Sequence, residues 1–181
     1  MPLHVPQLPI QLVVELINEW ATTPQEVSTR PWNGYPAPDS APRRKLMDIW
    51  PSSIIEPDDR SIAHACDDVY LIFTAPWPYA TANHLNNAIV DTRLSPRADA
   101  GDDTVHLHWS IEHPDQLMSA ILVASLLGHV NQAPQDRFGT CESTTCADVL
   151  VDQSPTHTKH FCSPRCQTRE RVRAHRSRAT D

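Results

Sequence analysis

Four cysteines near the C-terminus carry the clearest chemistry in the chain. Cys141, Cys146, Cys162 and Cys166 are spaced C-x4-C, then a 15-residue spacer, then C-x3-C. Two cysteine pairs at this separation can present four thiolates to one tetrahedral Zn2+. Four thiolates close the coordination sphere and leave no position for a substrate water, so the expected metal is structural and not catalytic. Together with Zn2+ they sum to a charge of about −2, which the amides of a helix N-terminus and Arg165 or Arg169 would offset. The competing reading makes these cysteines unrelated core residues or a redox pair. His157 and His160 lie in the spacer and are expected to be exposed polar residues, because four cysteines already suffice.

The surrounding residues suit a metal module. Phe138-Gly139-Thr140 can lead into the first knuckle, and Ala147 to Asp152 can form a strand leaving it. The second pair lies where a helix from Arg165 to Arg178 would begin. A zinc knuckle followed by a ligand at a helix start is a treble-clef-like arrangement. That helix carries Arg165, Arg169, Arg171, Arg173, Arg176 and Arg178. Arg169, Arg173 and Arg176 share one face at i, i+4 and i+7, while Arg171 and Arg178 lie on another. Such a helix can engage phosphates, and one face could enter a major groove. An arginine-rich end can equally be a solubilising face, or an intramolecular partner for an acidic body.

The charge distribution bears on that choice. The chain has 181 residues and a formal net charge of −7, which taken whole argues against a polyanion binder. The residues before Lys159 include 8 basic and 20 acidic side chains, a net of −12. From Lys159 onward there are 7 basic and 2 acidic, a net of +5. An acidic body with a basic tail is electrostatically a two-part molecule.

Other counts narrow the class. With 40% hydrophobic and 20% charged residues the chain can bury a modest core. Only 4 glycines against 17 prolines leave little room for glycine-rich phosphate loops. The longest apolar run, Leu117 to Val130, is interrupted by Ser119, Ser125 and His129 and falls short of the ~18 residues that span a bilayer. The opening MPLHVPQLP has no charged region followed by an apolar stretch, so it does not read as a signal peptide, and with no spanning run no membrane partner is expected. The expected compartment is the cytoplasm, where cysteines bind metal more often than they pair.

The elements that position the module are mainly helical. Residues 1–9 suggest an extended lead-in. Val13, Leu16, Ile17 and Trp20 fall at i, i+3, i+4 and i+7, predicting a short amphipathic helix over Ile10 to Ala21. Residues 22–43, with five prolines, predict a long irregular connection packed through Trp32 and Tyr35. Lys45 to Trp50 suggests a helical turn. Ile62, Cys66, Val69 and Phe73 predict a helix over about 58–74 with that stripe buried, and a shorter one follows from Thr81 to Val90. Asp91 to Leu94 and Val105 to Ile111 predict a hairpin whose polar turn is residues 96–103, with Val105, Leu107, Trp109 and Ile111 on a half-buried face. His113-Pro114-Asp115 opens a last helix, apolar on most sides and therefore central.

Several other residues invite chemistry and yield plainer readings. Cys66 has His64 nearby, but residues two apart on a helix do not face each other, so a buried structural thiol is expected. His106 and His108 share a strand face that could hold a metal, and a solvated polar face explains them as well. No G-x-S-x-G, P-loop, dinucleotide fingerprint or H-E-x-x-H occurs. The chain is therefore expected not to be an enzyme.

The stretch Phe161-Cys162-Ser163-Pro164-Arg165-Cys166-Gln167-Thr168-Arg169, followed by Glu170-Arg171-Val172-Arg173-Ala174-His175-Arg176, resembles the CGNR zinc finger, a bacterial family in which an aromatic-Cys-Ser stretch leads to Cys-Gly-Asn-Arg and a basic helix. The upstream C-x4-C and Asp152 after the apolar strand also match. Gln167 and Thr168 stand where the signature has Gly and Asn, and no metal ligand is lost. Leu12 to Trp20 (LVVELINEW) looks like the opening helix of the ABATE domain that such proteins carry at the N-terminus. The resemblance implies a stress-induced, DNA-binding transcriptional regulator.

The fold expected is α+β: a mainly helical N-terminal domain with one β-hairpin (1–132) and a small treble-clef-like zinc module (133–181). DNA is the expected partner, with room for a homodimer and for a small-molecule effector of the N-terminal domain. A second hypothesis is a protein-interaction module docking an acidic partner. A third is an enzyme using a pocket of the N-terminal domain.

Overall fold

A computed structural model of the chain describes residues 2–28, 39–101 and 103–178. The first helix, α1, spans Ile10–Trp20 and buries Leu12, Val13, Leu16, Ile17 and Trp20, the stripe expected from its periodicity. It starts after Pro9 and stops where Ala21 turns extended. The helix α4 (Asp59–Thr74) is capped by Asp58, whose carboxylate accepts the Ser61 N–H at 2.7 Å. It buries Ile62, Ala65, Cys66, Val69, Ile72 and Phe73 against α1 and against α6 (Leu117–Gln132). A short 3-10 turn, Pro114–Gln116, leads into α6.

Helix α6 is the central element, buried without interruption from Ala120 to Leu126. Its one buried polar side chain is fully used. Ser125 Oγ accepts the Leu8 N–H at 2.8 Å and donates to Ile121 O at 2.6 Å, tying the N-terminal strand to the core. Gln7 lies across Gly128 so closely that a Cβ there would meet its amide at 3.0 Å. The remaining body helices are α2 (Thr22–Val27), α3 (Ala41–Met47) and α5 (Tyr79–Asp91).

Three strands form one antiparallel sheet in the order β1-β3-β2, with β1 at Leu3–Val5, β2 at Ser95–Gly101 and β3 at Thr104–Ile111. The register runs from Leu3↔Ile111 to Val5↔Trp109 on one side and from Ser95↔Ser110 to Gly101↔Thr104 on the other.

The lead-in is extended as expected, and it is a strand that pairs across more than a hundred residues. Several other expectations are corrected here. Thr22–Val27, expected to be irregular, is helical; the part of that connection holding Trp32 and Tyr35 lies outside the described residues. The helical turn expected at Lys45 to Trp50 sits earlier, at Ala41–Met47. The first hairpin strand is not Asp91 to Leu94 but Ser95–Gly101, most of what reads as turn, because edge-strand pairing with β3 overrides its Pro and Gly. The outer half of the hairpin is not half-buried. Val105 and Leu107 are 75% and 74% exposed, whereas Ile111, at 1%, lies in the core and Trp109 packs partly buried against it. Alternation orients a face; it does not supply something to cover it.

The C-terminal module is a hairpin, β4 (Arg137–Thr140) with β5 (Val149–Asp152), followed by α7 (Pro164–Arg178). Phe138, Val149 and Val151 belong to the same apolar cluster as the body helices. The Phe138 ring stacks on Phe73 at 4.7 Å and meets Trp77 edge-on at 5.8 Å. The module is thus built onto the body through side chains of α1 and α4.

Candidate metal centre and basic helix

The β4–β5 hairpin sets the first two thiols. Cys141 follows β4 directly, and its N–H donates to Asp148 O at 2.8 Å, continuing the ladder into the loop. The chain then turns tightly, with Cys146 N–H donating to Ser143 O at 3.0 Å. This returns Cys146 toward Cys141. The other two thiols come from the start of α7. Ser163 caps it, its Oγ accepting the Cys166 N–H at 3.4 Å, and Pro164 occupies the first helical position. Cys162 therefore lies just before the helix and Cys166 in its first turn, so both point to the same side.

All four sulfurs lie within 4.8 Å of one another. Cys162 Sγ is 3.7 Å from Cys146 Sγ and 3.6 Å from Cys166 Sγ. Tetrahedral Zn2+ with Zn–S of about 2.3 Å requires sulfur separations near 3.8 Å, so the donor set and its spacing fit Zn2+. The four cysteines constitute a structural zinc site held by a knuckle and a helix start, as their spacing predicts.

Electrostatics among the free thiols follows from crowding. Burial pushes the Cys146 thiol up to about 12, with the neighbouring Asp148 carboxylate acting in the same direction. Burial also pushes Cys162 up, and its Sγ donates to Asp148 Oδ2 at 3.3 Å. Cys166 is also opposed by burial, but hydrogen bonds from Ser163 and the other three thiols bring it below the usual thiol range. A divalent cation binds the four as thiolates, so protons leave as it enters.

His157 and His160 stay out of this set. His160 Nδ1 pairs with Glu142 Oε1 at 2.8 Å on the surface, and neither histidine joins the four sulfurs. Cys66 is fully buried in α4, and burial raises its thiol. His108 pairs with Asp99 at 3.4 Å and lies against the tilted ring of His4 at 5.1 Å, and His106 contacts Thr104 Oγ1 at 2.6 Å. Among the described residues, the four cysteines are the group able to hold a metal.

Helix α7 stands exposed along its length except at buried Cys166 and half-buried Glu170. Arg169 and Arg173 turn back onto the knuckle. Arg169 Nη1 donates to Thr145 Oγ1 and to Thr145 O at 3.5 Å, and Arg173 Nη1 donates to Thr144 Oγ1. Arg165 and Arg171 are exposed in solvent. Arg178 Nε donates to Ala174 O at 3.2 Å, within its own helix.

Glu170 is a functional position that sequence reasoning misses. Its Oε1 accepts from Ser143 Oγ at 2.9 Å, Thr144 N at 3.1 Å and Thr144 Oγ1 at 3.2 Å. The Ser143 hydrogen bond foremost, then those from Thr144, hold its carboxyl below the usual range. It locks the knuckle to the helix from which Cys166 projects. Its sequence signal is only a lone acid among arginines four residues after a ligand. Asp148 and Ser163 are likewise identified only by their place beside the sulfurs.

The CGNR zinc finger family model matches residues 137–179, from the first residue of β4 through α7. No curated protein matches the chain.

Proposed function

We propose that this chain is a DNA-binding transcription regulator whose structural zinc finger presents the basic helix α7, with the N-terminal part sensing a ligand or mediating dimerisation. One observation carries the reading. The arginine helix is exposed along nearly all of its described length, so its positive charge is presented at the surface to a polyanion. Arg165, Arg169, Arg171, Arg173, Arg176 and Arg178 are the proposed contacts. The likeness of residues 137–179 to the CGNR zinc finger supports the same reading.

The proposal extends to the N-terminal part as an ABATE-like unit and to a cytoplasmic, non-enzymatic role. No described helix is long and apolar enough to cross a membrane. A groove between α1 and β5, lined by Glu15, Asn18, Asp148 and Lys159, offers a place for a small-molecule effector beside the finger. The exposed apolar face of the β2–β3 ribbon offers a place for a second copy.

Fluorescence anisotropy with labelled genomic fragments, titrated at several salt concentrations, tests the reading. Binding that weakens steeply with salt and drops at least about tenfold when Arg169, Arg173 and Arg176 are neutralised together is the expected result. Binding indifferent to those three changes removes the case. Absence of DNA binding with retained capture of an acidic peptide by α7 would favour the protein-docking alternative.

A further inference from the structure

We propose that Arg169, Arg173 and the Thr145 hydroxyl form a built seat for a single phosphodiester group, distinct from the other arginines of α7. The inference rests on the DNA reading above and assigns the residues that fix the helix on the backbone.

The argument begins with how the two guanidiniums are held. They stand one turn apart on α7 and both reach the knuckle between Cys141 and Cys146. Each spends only Nη1 there, Arg169 on Thr145 and Arg173 on Thr144. Their Nε and Nη2 groups make no hydrogen bond among the described residues. Both side chains remain exposed, Arg173 by 61%. The result is a pair of forks aimed by the knuckle, with several N–H donors left to solvent. A planar guanidinium with free parallel donors matches the oxygens of a phosphate.

The hydroxyls divide their work. Thr144 Oγ1 donates to Glu170 and is used up, whereas Thr145 Oγ1 accepts from Arg169 and keeps its own O–H to donate. Glu170 Oε2 lies 3.7 Å from Arg173 Nη1 while its Oε1 is held by Ser143 and Thr144, and one carboxylate against two guanidiniums neutralises the pair only in part. The site therefore keeps net positive charge and donors of both kinds. Because its side chains are already held by zinc-module contacts, an arriving phosphate has less rotamer freedom to remove than at Arg165 or Arg171. Phosphate contacts of this kind set register and carry no sequence information.

The zinc-loaded full chain allows two readouts. In the first, inorganic phosphate is titrated while the arginine Nε resonances are followed by NMR. Those of Arg169 and Arg173 are expected to move together and that of Arg171 to stay. In the second, DNA affinity is measured across salt for Arg169→Ala/Arg173→Ala against Arg165→Ala/Arg171→Ala, which removes equal charge. The first pair is expected to lose about tenfold or more and to lower the salt slope by about one. The control pair, whose contacts the knuckle does not pre-orient, is expected to lose several-fold less than the first pair. Zinc content is checked in each, and Thr145→Val, which keeps all charge, is expected to weaken binding several-fold with an unchanged slope. Equal losses in the two pairs, together with unmoved Arg169 and Arg173 resonances, would overturn the seat while leaving DNA binding intact. Phosphate-dependent shifts in a chain that binds no DNA would keep the anion seat and remove the regulatory reading.

Discussion

Asn18 of α1 and Val149 of β5 exchange two hydrogen bonds across the boundary between body and finger. Asn18 Nδ2 donates to Val149 O at 3.0 Å, and Val149 N–H donates to Asn18 Oδ1 at 2.6 Å. A side-chain amide thus acts as one more residue of strand at the unpaired edge of a two-stranded ladder. Tyr70 adds a parallel tie from α4, its hydroxyl donating to Ala147 O at 3.0 Å. The strand that sets the zinc ligands is aligned by the body helices.

Asn18→Ala removes both partners of a buried backbone unit, since Val149 is fully buried. Leaving a buried N–H and C=O unsatisfied costs about 2 kcal/mol. Thermal unfolding followed by circular dichroism and by a zinc-release dye is expected to shift down together in this variant. Separate transitions, with only the dye signal moving, would mean that the finger unfolds independently.

Phe138→Ala tests the same coupling through packing. The ring is 5% exposed and lies against Phe73, Trp77 and, at 6.1 Å, His129. Truncation of such a ring costs about 3–5 kcal/mol. Chemical denaturation should show the loss in the whole chain, with the unfolding of body helices tracking that of the finger. A midpoint within error of wild type would contradict the shared core.

The helices α1, α4 and α5 are legible in the sequence because each buries a stripe whose period is local, and α6 because it is apolar on most sides. The four zinc ligands are legible for the same reason, their spacing being a local property of a knuckle and a helix start. What escapes depends on distant partners. The strand β1 is three residues long and exists only because β3 lies beside it. The strand β2 carries Pro96 and Gly101, and reads as a turn until its pairing with β3 is known. Val105 and Leu107 alternate as a buried strand would, yet nothing among the described residues covers them. Glu170 and Asn18 carry no pattern at all; their roles arise from loops brought to them by the fold.

Zinc binding is expected to release roughly two protons or more per ion near neutral pH. The direction follows from the thiols. Cys146 is held up to about 12 and Cys162 is also raised, each chiefly by burial, so both enter the reaction protonated and leave it as thiolates. Affinity therefore rises with pH and falls on acidification, the thiol protons competing with metal. Calorimetry in buffers of different ionisation enthalpy measures the proton count. One mole of zinc per mole of chain is expected, retained in Cys66→Ser and lost in Cys141→Ser and Cys166→Ser. Release of fewer than about one proton would show that four thiolates do not form.

Glu170→Gln separates the charge of the buttress from its shape. Glutamine can still accept from Ser143 and Thr144, but the carboxylate that favours those hydrogen bonds and faces Arg173 at 3.7 Å is gone. Chelator-driven zinc release is expected to be several-fold faster in the variant, because the knuckle loses its hold on the helix bearing Cys166. The sign of the pH effect is set by the lowered pKa of Glu170. A depressed folded-state pKa contributes stability that is fully present above the ordinary carboxylate range and lost as pH falls through the lowered value. The ratio of release rates is therefore expected to be flat between about pH 6 and 8. A ratio that collapses within that interval would mean that Glu170 is not held as a carboxylate by the knuckle. Equal release rates throughout would reduce the buttress to a surface contact.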